Sequence, residues 1–113
     1  MRTALVMIAL AVAPVAAEAE GLEGKWSQAG SAGCGAGTEG GLEVARDGFV
    51  LGETHCPFPK APPAGFTAVS GPLTCLVEGT QAVEAHVALR LQGETATLSF
   101  DNAEPMRFAR CGG

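Results

Sequence analysis

The chain has 113 residues, with 12 acidic and 7 basic side chains for a formal net charge of -5, four cysteines, 16 glycines, seven prolines, one tryptophan and no tyrosine. This length holds one domain. The totals exclude a multidomain enzyme, a basic nucleic-acid binder of the usual electrostatic kind and a polytopic membrane protein.

Residues 1–17 read as a secretory signal. Arg2 supplies a positive start, residues 4–13 are an unbroken apolar run, and small residues at Val15-Ala16-Ala17 or Ala17-Glu18-Ala19 suit signal peptidase. The apolar run is shorter than the roughly 20 residues that cross a bilayer, so cleavage after Ala17, or after Ala19, is expected. No cysteine lies near the cleavage site to carry a lipid. Residues 18–113 are then a single small β domain, periplasmic or secreted, with no membrane span after signal cleavage.

Along that domain the chain alternates as strands do. Residues 24–28, around Trp26, form the first expected strand. Residues 42–46 and 49–54 flank Asp47-Gly48, a two-residue hairpin signal because glycine accepts the positive φ of such a turn. Residues 66–69 and 73–77 read as two further strands separated by Ser70-Gly71-Pro72. From Val83 to Leu91 the apolar residues Val83, Ala85, Val87, Leu89 and Leu91 alternate with Glu84, His86 and Arg90, a period of two. Gly93-Glu94 turns the chain into a strand with Ala96, Leu98 and Phe100 inward. A last strand, 106–111, puts Met106 and Phe108 on one face and Arg107 and Ala109 on the other. The expected fold is all-β: an antiparallel meander of about eight short strands curled into a small barrel or sandwich, which removes exposed edges. Its core draws on Trp26, Leu42, Val44, Phe49, Leu51, Leu73, Val77, Val83, Val87, Leu89, Leu98, Phe100, Met106 and Phe108. Residues 27–41, rich in small side chains around Cys34, read as a flexible loop pinned by its cysteine. Residues 56–65, with Pro57, Pro59, Pro62 and Pro63, read as stiff and extended.

In an oxidising compartment Cys34, Cys56, Cys75 and Cys111 read as two disulfides, since the close Cys or His pairs of a zinc site are absent. Sequence does not fix the connectivity. Pairing Cys34 with Cys56 and Cys75 with Cys111 ties each half of the chain to itself and is the preferred pattern. Bridges closing such loops contribute roughly 3 to 4 kcal/mol each, comparable to the whole net stability of a small domain.

Gly35-Ala36-Gly37-Thr38-Glu39-Gly40 matches G-x-G-x-x-G, but a dinucleotide site needs a buried strand before it and a helix after it, and the flanks here are polar and strand-like. His55 and His86 are the only histidines, and no G-x-S-x-G elbow surrounds any serine. Metal and cofactor are therefore expected to be none, and no residue is read as catalytic. Pro57-Phe58-Pro59-Lys60 holds an aromatic ring and a cation on a stiffened loop, where a partner is engaged at little ordering cost, so Phe58 and Lys60 are the candidate partner-binding residues. The bland alternative has Phe58 folding back onto the core. Arg90, Arg107 and Arg110 lie on adjacent terminal strands, where cross-strand pairing with Glu84 and Glu104 is their expected use.

Gly24-Lys25-Trp26, Glu53-Thr54-His55-Cys56, the run from Leu73 to Gly79 and the terminal Met106 to Cys111 together form a layout that resembles small exported proteobacterial proteins with an opening G-x-W and four spaced cysteines. That group has no assigned activity, so the resemblance implies export and a β architecture and adds no catalytic residue. The chain is also similar in architecture to the small lipocalin-like barrels of periplasmic protease and lysozyme inhibitors. The leading expectation is a non-enzymatic binding or inhibitor-like module of the cell envelope, its partner an unknown protein or small ligand and not a nucleic acid. The alternative is a small-ligand carrier with an internal barrel cavity. A hydrolase stands third and requires a serine or carboxylate beside His55 or His86 in a pocket.

Overall fold

Eight strands follow one another in a meander whose last member returns to the first: β1 Gly24–Gln28, β2 Gly41–Ala45, β3 Gly48–Leu51, β4 Thr54–Pro57, β5 Ala68–Val77, β6 Gln81–Gln92, β7 Thr95–Phe100 and β8 Met106–Arg110. Every neighbouring pair is antiparallel, and the β1–β8 pairing, Trp26 opposite Arg110 and Gln28 opposite Phe108, closes the sheet into a barrel. The structure is a computed structural model describing residues 21–111, and the expected signal at residues 1–17 lies outside the described residues.

Alternation along the strands sends Trp26, Leu42, Val44, Phe49, Leu73, Val87, Leu89, Leu98 and Phe108 inward, all buried as expected. Leu51, Phe100 and Met106 are partly buried against them. Leu22, Cys56, Phe66, Cys75 and Ala96 complete the core. Two expected core residues differ. Val77 is half-buried, and Val83 is 41% exposed. The reason is length: β6 runs past the end of β7, whose last pair is Phe100 with Val87, so residues 81–85 pair with β5 alone and Val83 has no wall beside it. Trp26, Leu22, Leu42, Val87 and Leu98 are at 0% exposure, which leaves no water-sized space against them, and Phe49, Leu89 and Phe108 are at 1%. These side chains fill the barrel, as in other small eight-stranded barrels, where the anticipated internal ligand cavity would have to be.

The strand count matches the sequence reading, but two of the members do not. Residues 49–54 contain a turn at Gly52-Glu53, with Leu51 opposite Thr54, so β4 is a separate strand that starts at the end of the expected strand and runs two residues into the segment read as proline-stiffened loop. Residues 66–69 and 73–77 are not two strands, because β5 runs through Gly71-Pro72 without a break. Proline survives mid-strand here because its missing N–H faces a side where β4 has already left.

The disulfides join Cys34 to Cys111 and Cys56 to Cys75, correcting the expected pairing of Cys34 with Cys56 and Cys75 with Cys111. The topology dictates the change. Register extends Thr54 opposite Val77 and His55 opposite Leu76 to Cys56 opposite Cys75, whose Cα atoms are 4.2 Å apart, the close spacing of a non-hydrogen-bonded cross-strand pair. Barrel closure brings the residue after β8 beside β1: Cys111 N–H donates to Lys25 O, and the loop after β1 folds back so that Gly35 N–H reaches Trp26 O, setting Cys34 within bridging distance.

That loop, residues 29–40, is not the slack linker its composition suggests. Ser31 Oγ donates to Glu39 O and accepts from Gly33 N–H, Thr38 Oγ1 donates to Gly35 O, Glu43 Oε1 accepts from Ala36 N–H, and Gly37 N–H bonds Gly52 O on the β3–β4 turn. Small residues permit this close self-packing.

At the other end of the barrel, Trp26 Nε1 donates to Leu22 O, and the Arg110 guanidinium lies 4.2 Å from the Trp26 ring centroid. Gly24 makes room for it. Its φ is +133°, and a Cβ there would sit 2.8 Å from Arg110 Nη1.

Candidate binding groove

The ladder between β4 and β5 is short. It contains Thr54 with Val77 and His55 with Leu76, whereas β5 pairs with β6 along all ten of its residues. Beyond the Cys56–Cys75 bridge β4 stays with β3, since Phe58 N–H donates to Asp47 O, and departs from β5. Pro57 and Pro59 carry no N–H with which to continue the ladder. A seam opens in the barrel wall, and a groove of about 280 Å³ lies in it, lined by Pro57, Phe58, Pro59, Pro72, Leu73 and Thr74.

Backbone direction follows from one hydrogen bond. Glu78 N–H donates to Glu53 O across this pair of strands, so the even-numbered residues of β5 aim their backbone groups toward β4 and the odd-numbered ones toward β6. Ser70 and Thr74 therefore present both N–H and C=O to the open seam, and Pro72 presents C=O alone. The groove combines an apolar floor with a strand edge whose backbone groups face it, the two elements by which an extended segment is taken up at a sheet edge.

Phe58 contributes to the groove from below. Its ring packs against Phe49 at 6.1 Å and edge-on against Phe66 at 5.9 Å, and the side chain is half-buried. It is a pinned floor residue, close to the bland alternative considered for it. Lys60 is exposed just past the groove lip at Pro59. The outer face continues from the groove onto Leu76, 36% exposed, with Ala82 opposite it. The sequence points to the Pro57 to Lys60 side of this surface but not to its β5 side, which depends on where two strands part.

His55 and His86 both stand on that outer face and are exposed, His55 opposite Leu76 and His86 opposite Pro72. Two strands and four positions separate them, roughly 16 Å. His86 N–H and C=O both engage Asp101, through its Oδ1 and its N–H. Among the described residues no group of three or more His, Cys, Asp or Glu is placed to hold a metal ion, and all four cysteines are bridged.

The fold and groove define a small disulfide-stapled barrel with one open seam. No family model, curated protein or solved structure matches the chain. Among the described residues no helix is long and apolar enough to cross a membrane.

Proposed function

We propose that the protein is exported, oxidised in the periplasm or outside the cell, and acts there as a non-enzymatic, inhibitor-like binding module that takes an extended apolar segment of a partner protein into the seam between β4 and β5. The observation that carries this reading is the groove itself, with Phe58 and Leu73 as floor, prolines as walls and the β5 edge at Thr74 along one side. The walls are fixed in advance by the Cys56–Cys75 bridge and by three prolines, so little order has to be imposed on the protein when a partner binds. Lys60 at the lip and Leu76 beyond it extend the contact. The likeness to periplasmic inhibitor barrels noted from the sequence points the same way. The test is affinity capture from the envelope fraction with oxidised protein beginning after Ala17. A partner held by the wild type and lost with Leu76→Glu and with Thr74→Pro supports the reading, and a partner held equally by all three refutes it.

A further inference from the structure

A second surface lies on a different wall of the barrel. Register puts Arg90 opposite Thr97 and Thr97 opposite Arg107, so the two arginines flank one threonine in a single row across β6, β7 and β8. The outward side of this row is a groove of about 310 Å³ lined by Ala88, Arg90, Gln92, Thr97, Ser99, Pro105 and Arg107. In a chain with 12 acidic and 7 basic side chains this lining contains two arginines and no carboxylate. The expected pairing of Arg90 and Arg107 with Glu84 and Glu104 is not made, and neither arginine forms an ion pair among the described residues. Arg110 is occupied elsewhere, at Trp26.

We propose that this groove binds one oxyanion of the phosphate class, held between Arg90 and Arg107 above Thr97. Adjacent strands are about 4.8 Å apart, so the two arginine Cα atoms are roughly 10 Å apart and each side chain has to span only half of that distance. Guanidinium groups suit this role because their planar forks donate paired hydrogen bonds to tetrahedral oxyanions. The hydroxyl of Ser99 and the amide of Gln92 supply neutral polar groups at the margins. The acids decide the size of the ligand. Glu94, in the turn after Gln92, and Glu104, before Pro105, bracket the groove along the strand direction and repel a long polyanion, while a single charged group between the arginines escapes both.

The experiment titrates inorganic phosphate into the oxidised protein at constant ionic strength and follows backbone amide shifts, with phosphatidylcholine vesicles containing a tenth phosphatidic acid as a separate arm. The expected result is saturable movement of the Arg90, Thr97 and Arg107 signals by phosphate, weakened at least tenfold in Arg90→Ala and in Arg107→Ala and unchanged in Lys25→Ala. Co-sedimentation with the vesicles, lost in the same two variants, would assign the group to a lipid headgroup, and its absence would assign it to free phosphate or a soluble phosphomonoester. The proposal is overturned if phosphate leaves these signals in place, or moves them equally in the wild type and both arginine variants. Exposed arginines on an intact sheet tolerate truncation, and unchanged amide dispersion in the variants confirms that each is folded.

Discussion

The Arg110 guanidinium lies over the Trp26 ring at 4.2 Å and ties the last strand to the segment before β1, its Nη1 donating to Glu23 O at 2.9 Å and its Nη2 to Gly21 O at 2.7 Å. One side chain thus connects the last strand, the first strand and the segment that crosses the barrel end. Arg110→Ala removes a cation–π contact and two charge-assisted hydrogen bonds and is expected to cost about 2 kcal/mol of unfolding free energy. Arg110→Lys recovers only part of this, because an ammonium neither stacks nor forks. Urea titration followed by the fluorescence of the single tryptophan measures both.

The two bridges are expected to differ in weight. Loop-closure entropy gives about 4.5 kcal/mol for Cys34–Cys111, with a sequence separation of 77, and about 3 kcal/mol for Cys56–Cys75, with a separation of 19. Replacing Cys34 and Cys111 together by serine should therefore lower stability more than replacing Cys56 and Cys75, as read from urea midpoints. Peptide mapping without reduction should recover Cys34 with Cys111 and Cys56 with Cys75 and no other pair.

Proline substitution distinguishes the two sides of β5. At Thr74 the N–H faces the seam, so Thr74→Pro is expected to change stability by no more than about 1 kcal/mol. At Leu73 the N–H faces β6, and Leu73→Pro removes a ladder bond within the core strand at a cost of about 3 kcal/mol or more. Thermal melts of the two variants side by side decide the matter.

Phe58→Ala removes a half-buried ring with two aromatic neighbours and is expected to lower stability by about 2 kcal/mol. Loss of partner binding in that variant is therefore ambiguous, whereas Lys60→Ala and Leu76→Glu change exposed side chains and should leave the melting temperature within a few degrees.

What was legible in the sequence was the part governed by local alternation. The run from Val83 to Leu91, the Gly93-Glu94 turn and the faces of Met106 to Ala109 can each be read residue by residue, because a half-buried strand writes its period directly. The Thr54 to Pro57 strand escaped because it alternates around a histidine, a cysteine and a proline, with no large apolar residue on its inner face. Gly71-Pro72 looked like a turn because the cost of proline in a strand depends on whether a neighbour needs its N–H, a tertiary fact. Disulfide pairing likewise follows from which strands are adjacent, and Cys34 with Cys111 requires closure of β8 onto β1. The seam and the arginine row arise from register, which sequence specifies only once the partners are known.

Amide hydrogen exchange along β5 tests the open seam most directly. In the free protein Ser70 and Thr74 should exchange quickly while Leu73 and Cys75, bonded to β6, are strongly protected, and a bound partner should slow Thr74. Equal protection of Thr74 and Cys75 in the free protein would mean that the wall is sealed there and that the groove is not a binding edge.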